Sequence, residues 1–176
     1  IRMGISVGAA TLNMQEFFAT LPFFPPASLV KGIFINSRGQ RFINEDAYHG
    51  RVAHYVLRQP QGRAWLLVDN AIFGRPVIEP DIDIAAVGES WEEVEQELGL
   101  PESALQHSVE EFNRYAAKGE DPYFHKGAEW LRPLSEPPFA AIAYSPEDTN
   151  FHAFTLGGLA TSPSGEVLDA DGEPIV

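Results

Sequence analysis

The sequence predicts an α+β fold, in which short strands and separate amphipathic helices share one hydrophobic core. Two apolar runs, 63–69 and 139–144, lie between turn residues and are short enough to be buried strands. Apolar residues also recur at helical spacing, which predicts a helix with one buried side. These residues are Leu105, Val109, Phe112 and Ala116. A chain of 176 residues that is 44% hydrophobic is long enough for one such core.

The segment 32–48 predicts a β-hairpin that ends in a polar loop. Strand-forming residues flank a tight Ser-Arg-Gly turn at 37–39. Four polar residues follow within five positions, namely Asn44, Glu45, Asp46 and Tyr48. Because strands position residues while loops carry chemistry, this loop is a candidate site. The alternative is that these residues only cap the next helix.

The remaining elements follow from local signals. Apolar spacing predicts a helix from His49 to Gln59, and Ser90 with Glu93 forms a capping box for a helix to about Leu98. Pro101 is suited to begin the helix that carries the apolar stripe. Weaker signals predict three further segments: a weakly helical start over 1–20, an irregular crossing over 75–87 and a terminal hairpin over 165–171.

Composition excludes several classes of function. The chain has 12 Lys and Arg against 25 Asp and Glu, a formal net charge of −13 that repels nucleic acid and anionic membranes. With no cysteine there is no disulfide or thiolate site. No apolar run approaches the ~18 residues of a membrane span, so we expect a cytoplasmic protein. The five histidines include no His-x-x-x-His pair, so we expect no metal site.

Known catalytic fingerprints are also missing. The sequence contains no Gly-x-Ser-x-Gly elbow, no Walker loop and no Gly-x-Gly-x-x-Gly. Three features remain: the polar loop, the turn 119–126 with its histidine and lysine, and the pair Gly157-Gly158 within an apolar run. Glycine in a strand costs roughly 0.5–1 kcal/mol, so bare backbone there predicts the close approach of a flat or bulky group.

These features occur in an order that resembles a known family. The sequence reads Gly-Ile-Phe-Ile-Asn-x-x-Gly-Gln-Arg-Phe-Ile-Asn-Glu, then Gly-x-Asp-Pro-x-Phe-x-Lys, then Pro-Pro-Phe-Ala-Ala, then Thr-Leu-Gly-Gly-Leu-x-Thr and Val-Leu-Asp-x-Asp-Gly-x-Pro-Ile. Over nearly its whole length it resembles the fumarate reductase and 3-ketosteroid dehydrogenase flavoproteins. Each motif alone is weak, and their shared order is what makes the resemblance specific.

The resemblance implies a cofactor and a domain arrangement. The family carries FAD on a Rossmann-like domain and closes the flavin with an inserted α+β capping domain. Residues 1–176 correspond to that single capping and substrate domain, with short flanks (about 1–20 and 155–176) that would join the FAD-binding domain. Because the chain starts with Ile and carries no dinucleotide fingerprint, we expect a piece of a longer protein that holds FAD poorly and is inactive alone.

The two branches of the family differ at residues that can be checked. The fumarate reductases place a histidine just before the Thr-x-Gly-Gly motif and a proton-donating arginine in the turn; here Phe154 and Lys126 occupy those places. Lysine cannot reproduce the bidentate grip of arginine on a dicarboxylate. The steroid dehydrogenases place a tyrosine shortly after Asn-Glu, and Tyr48 matches it. A tyrosine can act as the base that removes a proton next to a ketone.

The resemblance therefore implies a set of site residues. The catalytic residues are Tyr48 and Lys126, the substrate-binding residues Tyr123, His125 and Phe154, and the cofactor-binding residues Asn44, Glu45, Gly157 and Gly158. Two alternatives stay open. Glu45 could cap a helix, which contributes roughly 1 kcal/mol, instead of supporting Tyr48. Lys126 could be a solvated surface cation, since no partner is identifiable from the sequence.

The expected function is desaturation next to a carbonyl, with proton removal by Tyr48 and hydride transfer to FAD. The expected substrate is a small apolar ketone, with a steroid as one candidate. Reduction of an unsaturated carboxylate is one alternative. A non-catalytic dimerisation or binding module is another. Homo-oligomerisation stays open, and the missing FAD-binding domain is the expected protein partner.

Overall fold

The computed structural model describes residues 1–22, 25–76, 82–147 and 149–175, and it confirms the α+β class. In chain order, the elements are α1 (Arg2–Ser6), β1 (Thr11–Leu12), β2 (Phe17–Ala19), β3 (Ile33–Asn36), α2 (His49–Leu57), β4 (Ala64–Asp69), β5 (Ile84–Gly88), α3 (Trp91–Leu98), α4 (Ala104–Ala116), β6 (Phe139–Ala143), β7 (Ala153–Thr155) and β8 (Gly158–Leu159). They form two compact units, Thr20–His152 and a smaller one made of Ile1–Ala19 and Ala153–Val176.

The larger unit is built on a four-stranded antiparallel sheet with the order β3-β4-β6-β5. Every residue of β3 and of β4 is buried. Continuous apolar runs suit strands that are covered on both faces, which is why 63–69 and 139–144 could be recognised as strands. Both predictions are confirmed, with strand bounds of Ala64–Asp69 and Phe139–Ala143.

The predicted helices of the larger unit are present. α2 buries Val52, Ala53 and Val56, while α3 packs on β5 and β6 and α4 packs on α3. The predicted stripe of α4 is buried. This helix begins at Ala104, not at Pro101, because Ser103 before it has φ 62°, outside the helical region. The capping box is half formed: the N–H of Glu93 donates to Ser90 Oγ at 3.2 Å, and the Glu93 carboxylate accepts from the N–H of Glu89.

The predicted hairpin at 32–48 is wrong as a two-stranded element. Its turn exists, since the N–H of Gly39 donates to the carbonyl of Asn36 at 2.9 Å and Gly39 has φ 71°. After the turn, Ile35 and Arg41 form an isolated bridge and no second strand follows. The strand partner of β3 is β4. The chain leaves the ladder after Arg41, whose side chain belongs to a buried charge cluster described below.

The predicted irregular crossing over 75–87 is also partly wrong. Residues 77–81 lie outside the described part of the chain, but 84–88 form β5 and pair with β6. A register shift between Ile84 and Ala86 interrupts the pairing. This bulge, together with the nearby prolines, hides the period of a strand in the sequence.

The smaller unit joins the two ends of the chain. β1 pairs with β8 and β2 with β7, both antiparallel. The predicted weak helix over 1–20 is limited to Arg2–Ser6, and strands follow it. The predicted terminal hairpin consists of turns and the isolated bridges Thr161 to Val167 and Leu168 to Pro174. The assignment of 1–176 to one capping domain with flanks stays a prediction.

Candidate functional site

Tyr48 stands directly before α2, in the polar loop that the sequence singles out. Its backbone has φ −52° and ψ 130°, and its carbonyl accepts the N–H groups of Arg51 and Val52, which starts the helix. Its side chain is 63% exposed. The ring centroid lies 4.4 Å from that of His49. The first turn of α2 therefore holds a phenol that is accessible from solvent.

Tyr48 lines a cavity of about 350 Å³ in the larger unit, which we call the Tyr48 cavity. Seven of its lining residues are apolar or aromatic: Leu21, Pro25, Ala27, Val30, Ala47, Val52 and Trp130. The other four are Glu45, Asp46, Tyr48 and His49. None of the lining residues that the structure describes is a lysine or an arginine.

Glu45 borders this cavity and is also the centre of a buried ion network. Arg41 donates to its carboxylate from Nε at 2.9 Å and from Nη2 at 2.7 Å, and the N–H of Phe34 donates to Oε1 at 2.9 Å. The Glu45 side chain is 1% exposed. These contacts tie the polar loop to β3, so the alternative that Glu45 caps the following helix is wrong.

Two further residues complete this network, which we call the charge cluster (Arg41, Glu45, Asp121 and Lys126). Lys126 Nζ lies 3.1 Å from Glu45 Oε2 and donates to the carbonyl of Gly32 at 2.6 Å. Arg41 Nη2 lies 2.8 Å from Asp121 Oδ2. The Lys126 side chain has 0% exposure, so the alternative of a solvated surface cation is wrong.

The cluster shifts the pKa values of its members in directions that follow from burial and pairing. Burial opposes the charged form of Arg41, but Glu45 and Asp121 outweigh it and raise the pKa of Arg41. Burial likewise disfavours ionised Asp121, yet the hydrogen bond and charge of Arg41 lower the pKa of Asp121 overall. Burial lowers the pKa of Lys126, and the charge of Glu45 offsets this only in part.

The predicted substrate residue Tyr123 lies in a second cavity of about 360 Å³, which we call the Tyr123 cavity. Its ring packs edge-on against Tyr115 with centroids 5.8 Å apart. Arg41 lines the Tyr123 cavity but not the Tyr48 cavity, and its guanidinium lies over Phe112 at 5.1 Å and Phe124 at 4.7 Å. The structure therefore does not bring Tyr123 into the cavity that Tyr48 lines.

The other predicted residues lie elsewhere. His125 is exposed, has φ 58°, and lines neither of these two cavities. Asn44 donates from Nδ2 to Asp46 Oδ1 at 2.9 Å. Phe154 belongs to the smaller unit, where its ring lies 5.1 Å from that of Phe18 and the residue is 60% exposed.

The two predicted cofactor glycines, also in the smaller unit, differ from each other. A Cβ added to Gly157 would overlap the carbonyl of Asn13 and stand 2.7 Å from Cα of Met14. A Cβ added to Gly158 meets no atom within 4 Å. The absence of a side chain at Gly157 thus makes room for the backbone of Asn13 and Met14. The space beside Gly158 is open to another group.

Sequence reasoning assigned no role to four residues that lie at the Tyr48 cavity or in the charge cluster: Arg41, Asp46, His49 and Trp130. Three of them stand within or beside the polar loop, so their proximity to Tyr48 was a usable signal. Trp130 comes from a distant short helical turn, and nothing in the sequence connects it to the loop. In the described residues no group of three or more His, Asp or Glu could hold a metal ion, and no helix has the length and apolarity to cross a membrane.

The fold and the site define an α+β protein with a tyrosine beside an apolar cavity, and comparison with known proteins gives its family. The FAD binding domain family (FAD_binding_2) matches residues 1–176, and the chain belongs to this family. FAD is accordingly the cofactor that the family indicates.

Known relatives include both branches that the sequence resembles. The crystal structure of 3-ketosteroid-Δ4-(5α)-dehydrogenase from Rhodococcus jostii RHA1, in complex with 4-androstene-3,17-dione, is 35% identical, with a TM-score of 0.86 over 99% of this chain and 36% of that one. A 4-oxocyclohexanecarboxylate 2-dehydrogenase from Sinomonas cyclohexanicum is 30% identical over 81% of this chain and 29% of its own length. A probable fumarate reductase from Shewanella frigidimarina is 27% identical over 83% of this chain and 24% of its own length.

These relatives are FAD-dependent dehydrogenases and reductases that act on carbon–carbon bonds, as the sequence predicts for the family. The chain spans about a quarter to a third of the length of the first curated relatives that it matches. The activity of the whole protein is therefore treated below as a proposal.

Proposed function

We propose that this chain is the substrate-capping part of a FAD-dependent oxidoreductase that desaturates a carbon–carbon bond next to a ketone. Tyr48 removes the proton from the carbon α to the carbonyl, and the neighbouring carbon loses a hydride. The observation that carries the proposal is the Tyr48 cavity. It combines a reachable phenol with mainly apolar walls.

The charges around this cavity favour an uncharged substrate. A dicarboxylate needs cationic donors, and arginine is the side chain best suited to bind carboxylates in pairs of hydrogen bonds. The described lining of the Tyr48 cavity has no such cation and includes the carboxyl groups of Glu45 and Asp46. Arg41 and Lys126 already neutralise Glu45, which leaves Asp46 to repel an anionic substrate.

The relatives support the same substrate class. The Rhodococcus jostii structure holds a ketosteroid, and the Sinomonas relative is named for a ring ketone. A steroid or another ring ketone has the bulk and apolarity for which the cavity walls are suited. The fumarate reductase relative supplies the competing substrate class for the test.

The chain contributes to FAD binding through its bare backbone. Gly158 has no side chain and open space in the Cβ direction, which fits the approach of a flat ring system. Bound FAD supplies the acceptor for the hydride at N5. The role of this chain is to orient the ketone, to exclude water with its apolar walls and to accept the proton at the Tyr48 oxygen. The FAD-binding domain as partner and the inactivity of this chain alone are parts of the proposal.

The proposal is tested on the full-length flavoprotein by anaerobic flavin reduction. We expect a saturated 3-ketosteroid to reduce the flavin and succinate not to do so. Tyr48→Phe should lower the rate of reduction at least about 10²-fold, the low end for general acid–base catalysis. Tyr55→Phe is the matched control, because Tyr55 lies on the same helix and contacts the Arg51 guanidinium instead of the cavity.

Three results would count against the proposal. An unchanged rate in Tyr48→Phe removes this tyrosine from the mechanism. Faster flavin reduction by succinate than by every ketone, or fumarate turnover with a reduced flavin, assigns the protein to the carboxylate branch. If neither class of substrate exchanges electrons with the flavin, the non-catalytic binding module becomes the better description.

A further inference from the structure

Lys126 occupies the place where the sequence resemblance puts a catalytic proton donor. Its contacts, however, are those of a tether, that is, a residue that fastens the turn 119–126 to the polar loop. Its side chain is completely buried, and Nζ donates to the carbonyl of Gly32 at 2.6 Å while lying 3.1 Å from Glu45 Oε2. Both acceptors belong to the protein. Lys126 is not among the residues that line the Tyr48 cavity.

The turn around Lys126 holds the polar loop at two points. The first is the ion pair between Lys126 and Glu45. The second is the N–H of Gly127, which donates to Asp46 Oδ2 at 2.8 Å. Glu45 and Asp46 both line the Tyr48 cavity and immediately precede the segment that presents Tyr48. A displacement of the turn would therefore reach Tyr48 through two adjacent residues.

The turn around Lys126 is in turn held in place by Asp121 and Arg41. The N–H of Lys126 donates to Asp121 Oδ2 at 3.2 Å, and the same carboxyl group pairs with Arg41. The charge cluster thus contains two cations and two anions, so its charges are balanced, and its side chains are at most 8% exposed. Removal of one charge from such a set leaves a buried partner uncompensated, and the remaining groups must move.

We propose that Lys126 is a positioning residue that acts through Glu45 to hold Tyr48 at the cavity, and that it does not deliver a proton to the substrate. The inference rests on the proposed function for its kinetic test. A base that is displaced by about 1 Å can lose on the order of 10²-fold in rate, so a tether far from the reacting atoms can control kcat.

The kinetic test is a double-mutant cycle in the full-length flavoprotein. Lys126→Met keeps the length of the side chain and removes the charge. It should lower kcat for the ketone about 10- to 10²-fold, the effect expected of a misplaced base. In the Tyr48→Phe background the same substitution should cause no further loss. The shape of the pH–rate profile should not change. Losses that multiply in the double variant, or a lost limb of the profile, would show that Lys126 transfers a proton itself.

A second variant separates the loss of positioning from the loss of the fold. Lys126→Met combined with Glu45→Gln leaves Arg41 and Asp121 as a balanced pair, so the fold should recover relative to Lys126→Met alone. The tether is still absent, so kcat should stay low. A double variant with the kcat of the wild type would overturn the inference. Lys118→Met, at an exposed lysine just after α4, is the control and should leave kcat unchanged.

Amide hydrogen exchange tests the tether without any substrate. In Lys126→Met, peptides that cover 44–48 should exchange several-fold faster than in the wild type, whereas peptides from α4 should not change. Lys118→Met should alter neither. Equal protection of 44–48 in the wild type and in Lys126→Met would refute the positioning role. If the protein turns over no ketone, the proposed function fails, but this measurement still decides the role of Lys126.

Discussion

Gly157 and Gly158 are neighbours with opposite tolerance for a side chain. A Cβ at Gly157 would overlap the backbone of Asn13, whereas one at Gly158 would point into open space. Gly157→Ala should therefore lower the free energy of unfolding by about 1–3 kcal/mol, as overpacking does. Gly158→Ala should stay within about 0.5 kcal/mol of the wild type. Chemical denaturation of both variants measures the difference.

The same pair tests the contact with the cofactor. If Gly158 faces the flavin, Gly158→Ala should weaken FAD binding in the full-length protein while the stability of the apoprotein is kept. Unchanged FAD affinity in Gly158→Ala would remove this residue from the cofactor site. Equal stability losses in the two alanine variants would contradict the geometry of Gly157.

For single residues, the sequence shows which positions are unusual but does not show what each residue contacts. The double glycine stands out because glycine is costly in a strand, but whether the chain or a ligand fills the space depends on Asn13, which is remote in sequence. Lys126 shows the same limit. Its partners Gly32 and Glu45 belong to a distant segment, so its complete burial has no local signature.

At the scale of elements, the start of α4 is held by a carboxylate from the preceding helix. Glu95 of α3 is 3% exposed and accepts the N–H groups of Ser103 at 2.7 Å, Leu105 at 2.8 Å and Gln106 at 3.4 Å. The first N–H groups of a helix have no partners within the helix. Glu95 thus supplies the cap that Ser103 does not.

Loss of this cap should destabilise the larger unit. Glu95→Ala should lower the free energy of unfolding by about 2–3 kcal/mol, because three N–H donors, one of them buried, lose their acceptor at once. Glu92→Ala on the exposed side of the same helix is the control and should cost less than about 0.5 kcal/mol. Thermal and denaturant unfolding measure both. Similar losses in the two variants would mean that Glu95 acts only through helix propensity.

Elements with a local signal could be predicted, and elements that depend on distant partners could not. The strands β4 and β6 and the buried stripe of α4 are visible because their apolar patterns are continuous or periodic. The turn at 37–39 predicts a hairpin, whereas β3 forms its ladder with β4. The sequence does not predict β5, because its bulge breaks the alternation of apolar and polar residues.

At the scale of the whole molecule, a net charge of −13 sets the response to pH. Acidification first reduces the mutual repulsion of the carboxylates on the surface, which favours the compact state. The charge cluster responds in the opposite sense, because Asp121, whose pKa is lowered by Arg41, must stay ionised to keep its ion pair with Arg41. The composition predicts the first effect, and the second requires the structure.

Asp121 allows the second effect to be isolated. Its pKa in the folded protein is lowered, so the stability that it contributes is complete above its unfolded pKa of about 3.9 and is lost as the pH falls through the folded value. Asp121→Asn should therefore be less stable than the wild type by about 1–3 kcal/mol at neutral pH. The gap should narrow below roughly pH 4, as Asp121 becomes protonated first in the unfolded state and, at lower pH, also in the folded state. Denaturant unfolding from pH 7 to pH 3 measures it, with Glu120→Gln at the exposed neighbour as the control. A gap that stays constant with pH would mean that Asp121 stabilises the fold by packing and not by its charge.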